Sequence, residues 1–165
     1  MHPINLHQIA DYSMRARGLL PAFIPEAQQE AEAARAAGPE RLAEHPDIRD
    51  LRALTWFSID NDDTLDLDQL SVAEALPGGG TRLMVAVADV DVLVKRGGAV
   101  DTHAAANTTS VYTAAGVFPM LPERLSTQLT SLNPGEDRIA IVTEMVVDAQ
   151  GEVTHSTVHR ARVRN

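Results

Sequence analysis

The sequence predicts an α+β fold with a mostly antiparallel sheet and short helices, preceded by a helical N-terminal segment. Two β-hairpins are indicated after residue 50, where apolar runs flank the turn sequences "PGGG" (Pro77–Gly80) and "DAQG" (Asp148–Gly151). Residues 1–50 are rich in Ala and Glu and are typical of helix. This change in composition predicts two parts, a helical segment over 1–50 and a domain over 51–165.

The strongest helix signal in the first part is "PEAQQEAEAARAAG" (Pro25–Gly38). Pro25 suits the first helical turn, and Gly38 suits the end of a helix. Apart from alanine, this stretch has almost no apolar stripe, so we expect it to lie on the surface or to bridge to another part.

The first strands of the domain are predicted from three apolar stretches. "LTWFSID" (Leu54–Asp60) forms a strand that places Trp56 in the core. "LSVAEAL" (Leu70–Leu76) and "TRLMVAVADVDVLV" (Thr81–Val94) form the first hairpin. Because Leu83–Ala88 is almost continuously apolar, it predicts a strand buried on both faces.

The second half of the domain alternates short helices, loops and a hairpin. "VDTHAAAN" (Val100–Asn107) predicts a short helix, and a second one is expected at Pro122–Gln128. That second helix lies within Thr113–Arg138, which is otherwise rich in Gly and Pro loop signals. "IAIVTEMVV" (Ile139–Val147) and "EVTHSTVHRARVR" (Glu152–Arg164) predict the second hairpin.

Composition limits the class of protein. The formal net charge of −9 argues against a protein that grips nucleic acid by bulk electrostatics, although carboxylates can reach phosphate through bound metal. Cysteine is absent, so disulfides and thiolate metal sites are excluded. The N-terminus lacks a signal-peptide pattern and no apolar run is long enough for a membrane span, so we expect a cytoplasmic protein. Asn165 directly follows a predicted strand, and we expect the natural chain to continue beyond it.

The stretch "SIDNDDTLDLDQ" (Ser58–Gln69) holds five aspartates within nine residues. Asp66 and Asp68 are two apart, so in an extended segment they face the same way, and Asp60 can converge on them across a loop. Three hard oxygen donors at one point predict a site for Mg²⁺ or Mn²⁺.

Two other interpretations of this stretch exist. A solvated acidic loop is one, but the acids alternate with four apolar residues that would anchor the run to a core: Ile59, Leu65, Leu67 and Leu70. A calcium loop of the EF-hand type is the other. It fails because Leu65 stands where the motif needs Gly, and Ser71 stands where it needs a bidentate Glu.

The aspartate stretch resembles the signature of the RNase II/RNase R (RNB) exoribonucleases. Two further stretches resemble family motifs in the same order: "VAVADVDVLVKRG" (Val85–Gly97) and "TSVYTAAGVFPMLPERLSTQLTSLNPGEDRIA" (Thr109–Ala140). The resemblance covers about Leu54 to Arg164, which would be the N-terminal portion of an RNB catalytic domain. It does not reach residues 1–50.

The resemblance implies hydrolytic 3′–5′ degradation of single-stranded RNA to nucleoside 5′-monophosphates, using Mg²⁺, with Mn²⁺ as the alternative ion. It makes Asp60, Asp66 and Asp68 catalytic and metal-binding positions, with Asp63 a further candidate ligand. Gln69 departs from the family pattern, which usually has a fourth Asp there. Gln69 can offer one neutral oxygen to a metal but no charge, so a non-catalytic RNA-binding or regulatory module of the same fold stays open as the alternative.

The resemblance also implies RNA contacts outside the aspartates. Tyr112 matches a position that stacks on a base, although a half-buried core tyrosine is the other interpretation. Arg160, Arg162 and Arg164 share one face of a strand and could follow a phosphate backbone, or form a solvated strand edge. We expect a monomer, and we expect residues 1–165 alone to lack a complete catalytic site.

Overall fold

The computed structural model describes residues 4–35 and 47–165 of the chain, and within them it forms three α-helices and seven strands. The helices are α1 (Leu6–Ala16), α2 (Pro25–Ala33) and α3 (Ala99–Asn107). The strands are β1 (Arg49–Asp50), β2 (Gln69–Ala75), β3 (Thr81–Ala88), β4 (Val111–Thr113), β5 (Gly116–Phe118), β6 (Asp137–Val147) and β7 (Val153–Arg164). Across the described residues, no helix has the length and apolar character needed to cross a membrane.

The main sheet has five strands in the order β1-β7-β6-β3-β2. β1 runs parallel to β7, and the other three pairings are antiparallel. β4 and β5 form a separate two-stranded hairpin. The mostly antiparallel α+β fold predicted from the sequence is therefore confirmed, including both long hairpins.

The chain divides into two compact units that do not follow its order in sequence. The helical unit contains α1, α2, α3, β4 and β5, and the sheet unit contains the five-stranded sheet with the aspartate stretch. The helical unit thus combines residues from both predicted parts, 1–50 and 51–165. The boundary near residue 50 stays a prediction.

The core of the sheet unit lies on one face of the sheet. It is built from alternate residues of β2, β3, β6 and β7, together with Trp56 and Leu132. Within β3, Met84 and Ala86 are buried, whereas Val87 is exposed. The predicted burial of Leu83–Ala88 on both faces is therefore wrong, because an antiparallel strand needs only one packed face and its side chains alternate.

Long-range hydrogen bonds fix the ends of the helices in the helical unit. α2 begins at Pro25 as predicted but ends at Ala33, where the Arg124 guanidinium donates to the Ala31 carbonyl at 3.1 Å. The predicted stop at Gly38 lies outside the described residues. At the start of α3, a carboxylate oxygen of Glu30 in α2 accepts hydrogen bonds from the Ala99 amide at 2.7 Å and from the Val100 amide at 3.3 Å. These contacts satisfy backbone groups that a helix leaves unpaired at its ends.

Three local predictions need correction, and one element was not predicted. The strand expected over Leu54–Asp60 is reduced to a single bridge between Phe57 and Ser71. β3 ends at Ala88 rather than Val94, because a 3₁₀ turn follows at Val90–Val92. The short helix expected at Pro122–Gln128 is a π-helical turn over Arg124–Leu129. The hairpin β4–β5 was missed, since three-residue strands are too short to give a periodic signal.

Candidate nucleic-acid-processing site

The aspartate stretch forms a loop that the sheet closes at its base. The Phe57 amide donates to the Ser71 carbonyl at 3.0 Å, and the Ser71 amide donates back at 2.8 Å. Between these two residues the chain leaves the sheet and returns at Gln69, the first residue of β2. We call residues 58–68 the aspartate loop.

The carboxylates of the aspartate loop face water. A turn at its tip is closed by the Thr64 amide, which donates to the Asn61 carbonyl at 3.0 Å. All five acids of the loop are exposed: Asp60, Asp62, Asp63, Asp66 and Asp68. Exposure lowers the cost of like-charge repulsion, because water screens charges more strongly than a protein interior does.

Two of the four apolar residues expected to anchor the loop do so. Leu70 is buried in the core, and Leu67 is partly buried and packs against it. Ile59 is 89% exposed and Leu65 is 69% exposed, so the expectation that they anchor the loop is wrong. Leu67 and Leu70 therefore anchor the β2 side of the loop to the core.

The attachment on that side consists of backbone hydrogen bonds to Leu67 and Asp68. The Leu132 amide donates to the Leu67 carbonyl at 2.7 Å, and the Leu67 amide donates to the Ser131 hydroxyl at 3.1 Å. The Ala88 amide at the end of β3 donates to the Asp68 carbonyl at 2.9 Å. These bonds give the Asp66–Asp68 end of the loop a defined position.

Gln69 lies directly after this fixed end. It is the first residue of β2, pairs with Val87 of β3, and its side chain is exposed. It therefore sits beside Asp68 at the start of a regular strand.

The acids of the loop suit a divalent cation by their chemistry, because carboxylate oxygens are the hard donors that Mg²⁺ and Mn²⁺ prefer. Among residues 4–35 and 47–165, however, no group of three or more His, Asp or Glu side chains is arranged to hold a metal ion. The convergence of Asp60, Asp66 and Asp68, with Asp63 or Gln69 as a further ligand, stays a prediction.

From the sequence alone, no role was assigned to Ser131 and Arg138. Ser131 forms hydrogen bonds to the loop, and Arg138 forms one to Ser131. Ser131 is 1% exposed and its carbonyl accepts a hydrogen bond from Arg138 Nε at 2.8 Å. Arg138 also donates to the Gln128 carbonyl at 2.8 Å and to the Glu136 carboxylate. Burial lowers the pKa of Arg138 below its usual range. The available signal in the sequence was that both residues lie within "TSLNPGEDR", part of a stretch that resembles a family motif.

The three arginines of β7 are not equivalent. Arg160 Nε donates to Asp89 at 2.6 Å, and its Nη2 donates to Asp91 at 2.9 Å. The hydrogen bond to Asp89 raises the pKa of Arg160. Arg164 pairs with Asp137, and Arg162 Nε is buried without a hydrogen-bond partner among the described residues. The contact of these arginines with RNA stays a prediction. For Arg160 and Arg164, a phosphate would have to compete with the carboxylates that these side chains already bind.

Tyr112 belongs to the helical unit. It is the middle residue of β4, pairs with Val117 of β5, and is exposed. The half-buried core position that we considered as its other interpretation is therefore wrong. Its contact with a base stays a prediction.

The domain that carries the aspartate loop matches a known protein family. The model of the RNB domain family matches residues 48–165, which is most of the chain. The chain belongs to the RNB domain family. This confirms the resemblance on which the sequence interpretation rested, and it places the aspartate loop inside the RNB domain.

Relatives of this RNB chain include two ribonucleases R. The protein of Vibrio cholerae is 47% identical over 105 residues, which cover 64% of this chain and 13% of the relative. The protein of Escherichia coli is 42% identical over 137 residues, which cover 82% of this chain and 16% of the relative. The chain thus spans less than a fifth of the length of these relatives.

Solved structures of the RNB fold agree with this comparison. Mycoplasma genitalium RNase R in complex with ribose-methylated single-stranded RNA has a TM-score of 0.85 and 28% identity, covering 96% of this chain and 24% of that one. Yeast Ssd1, described as a pseudonuclease, has a TM-score of 0.76 and 17% identity. The match covers 99% of this chain and 20% of Ssd1. The likeness to Ssd1 shows the fold alone.

Proposed function

We propose that the intact protein is a hydrolytic exoribonuclease that degrades single-stranded RNA in the 3′–5′ direction to nucleoside 5′-monophosphates. The observation that carries the proposal is the aspartate loop, whose carboxylates are exposed and whose Asp66–Asp68 end is fixed to the sheet. Membership of the RNB family and the likeness to ribonucleases R support it. A cytoplasmic location and a monomeric state belong to the same proposal.

The cofactor we propose is Mg²⁺, with Mn²⁺ as a substitute. When bound, such ions supply a Lewis acid for the scissile phosphate and a nucleophile derived from water. The chain's own contribution is to hold the carboxylates: Asp60 and Asp66 as ligands, Asp68 as the position most sensitive to change. A fixed mounting matters because a misplacement of about 1 Å can lower a rate by roughly 10²-fold.

RNA is the proposed partner, and the chain is too acidic to bind it by charge alone. The exposed Tyr112 offers a ring for base stacking, which is tolerant of sequence and contributes on the order of 1–3 kcal/mol per base. A stacked base together with phosphate held through metal would bind RNA without a basic surface. This combination fits an enzyme that reads no particular sequence.

The direct test follows a 5′-labelled single-stranded RNA with the intact protein in Mg²⁺ and in EDTA. We expect stepwise shortening in Mg²⁺ and none in EDTA. Asp68→Asn should abolish cleavage without lowering the melting temperature, while Asp62→Asn at the exposed tip should cleave normally. Intact RNA in Mg²⁺, or shortening that EDTA does not stop, would contradict the proposal.

A second function, a non-catalytic RNA-binding or regulatory module, is favoured by one observation. Gln69, which stands where the family pattern usually has Asp, is exposed beside Asp68 and brings no charge. If this function is correct, the intact protein binds RNA without shortening it, and Gln69→Asp switches cleavage on. Cleavage by the wild-type protein at a rate that Gln69→Asp does not increase would exclude it.

A further inference from the structure

The Ser131 side chain makes hydrogen bonds to the backbone of the aspartate loop at Leu65 and Leu67. We propose that Ser131 is a positioning residue, whose hydroxyl sets the place of Asp66 and Asp68 and through them the affinity of the site for divalent cations. This inference rests on the proposed function. Ser131 is 64 positions away in sequence from Leu67 and 66 positions away from Leu65, the two loop residues that its hydroxyl contacts.

The geometry shows a hydroxyl used in both of its roles. Ser131 Oγ accepts a hydrogen bond from the Leu67 amide at 3.1 Å. The same hydroxyl donates toward the Leu65 carbonyl at 2.9 Å, with Asn133 Oδ1 at 3.0 Å as a second acceptor within reach. Leu65 and Leu67 flank Asp66, so one side chain fixes the backbone on both sides of a candidate ligand.

A third bond continues this attachment toward Asp68. The Leu132 amide donates to the Leu67 carbonyl at 2.7 Å. Both the amide and the carbonyl of Leu67 are therefore hydrogen-bonded to the Ser131–Leu132 segment. Asp68 follows immediately, and the end of β3 holds its carbonyl.

The segment that carries Ser131 is itself held in place. Arg138 Nε donates to the Ser131 carbonyl at 2.8 Å, and Arg138 Nη2 donates to the Gln128 carbonyl at 2.8 Å. Leu132 belongs to the hydrophobic core, and Asn165 Nδ2 donates to its carbonyl at 2.9 Å. Because these bonds and the core hold the segment in place, the hydroxyl can set the position of the loop.

Replacing the hydroxyl removes a donor and an acceptor at once. In Ser131→Ala, the Leu67 amide and the Leu65 carbonyl lose their shared partner, while the Leu132 bond remains. We expect the loop to stay folded but to place Asp66 less precisely. Partners that orient metal ligands from outside the ligand set typically change metal affinity by roughly 10–100-fold when removed.

The experiment compares the intact wild-type protein with Ser131→Ala and with Ser131→Cys, a variant of nearly the same size with a weaker hydrogen-bonding group. Met84→Ala is the control for lost stability. Met84 is buried in the same sheet, and its strand partners are Val72 and Glu144 rather than loop residues. Mn²⁺ affinity is measured by electron paramagnetic resonance without RNA, and RNA affinity is measured in EDTA.

We expect Mn²⁺ to bind about 10-fold more weakly to Ser131→Ala, with an intermediate loss for Ser131→Cys. Amide exchange of Leu67, measured in EDTA, should be faster in Ser131→Ala. RNA affinity in EDTA should be unchanged, and cleavage measured over a range of RNA concentrations should show a lower kcat with little change in KM. If Ser131→Ala does not fold, Ser131→Cys carries the same comparison.

Two results overturn the inference and can be told apart. If the wild-type protein cleaves RNA and Ser131→Ala binds Mn²⁺ as tightly as the wild type, or no more weakly than Met84→Ala does, the positioning role is wrong and the proposed function stands. If the wild-type protein neither binds Mn²⁺ nor cleaves RNA, the proposed function fails, and the positioning role fails with it.

Discussion

Arg160 provides the sharpest test of whether the arginines of β7 serve the fold or the RNA. Its guanidinium bonds Asp89 at 2.6 Å and Asp91 at 2.9 Å. The Asp89 side chain is only 3% exposed, whereas that of Asp91 is 75% exposed. The change to make is Arg160→Ala, which leaves a carboxylate buried without its cation.

The two ion pairs contribute very differently to the expected loss of stability. Removing one partner of a buried pair costs roughly 3–5 kcal/mol, since the remaining charge is uncompensated. The Arg160 side chain is 39% exposed, so water can reach the vacated position and offset part of that cost. The exposed pair with Asp91 adds less than about 1 kcal/mol. We therefore expect a net loss of about 2–3 kcal/mol in the free energy of unfolding.

The assay is urea unfolding of the intact protein by circular dichroism, paired with RNA affinity in EDTA by fluorescence anisotropy. Arg164→Ala is the control on the same strand, because its partner Asp137 stays paired with Arg52, and it should cost no more than about 1 kcal/mol. RNA affinity should be unchanged in Arg160→Ala. A loss of stability below about 0.5 kcal/mol together with weaker RNA binding would refute the reasoning and assign Arg160 to phosphate.

Three further predictions concern the stability of the two units. Leu70→Ala should lower the free energy of unfolding by about 2–5 kcal/mol in urea, and a loss under about 1 kcal/mol would contradict its place in the core. Asn107→Ala removes hydrogen bonds to the Leu20 amide and carbonyl and should cost about 2 kcal/mol, with Thr102→Val as a control on the same helix. Burial lowers the pKa of His103, so the unfolded state binds protons more readily and stability should fall as pH decreases through about 6.5. His103→Gln should flatten that decline, which a thermal melt series from pH 7.5 to 5.5 measures; an unchanged slope would exclude His103 as its source.

Local patterns were enough to predict most regular elements. The turns "PGGG" and "DAQG" are short-range signals, and both hairpins occur where they indicate. α3 matches its prediction within one residue, Ala99–Asn107 against Val100–Asn107. The strand over Leu54–Asp60 failed because an apolar stretch with strand character still needs a partner strand, and within residues 4–35 and 47–165 just Phe57 pairs, with Ser71.

The residues of the candidate site could be predicted from the sequence, but the contacts that hold the loop in place could not. The aspartates and Gln69 follow from spacing and from motifs that identify the RNB family. Their arrangement around a cation stays a prediction. The expectation that Ile59 and Leu65 anchor the loop failed because alternation in sequence does not fix which side of an irregular loop faces the core.

The sequence by itself determined the fold class, the two long hairpins, α3 and the family. These properties depend on periodicity, turn residues and motif spacing, which act over a few positions. The tertiary structure alone decided that Ser131 supports the loop from 64 residues away, that Glu30 caps α3 across 69 residues, and that Arg160 pairs with Asp89 across 71. Such contacts depend on strand register and core packing, which bring together segments that are distant in sequence.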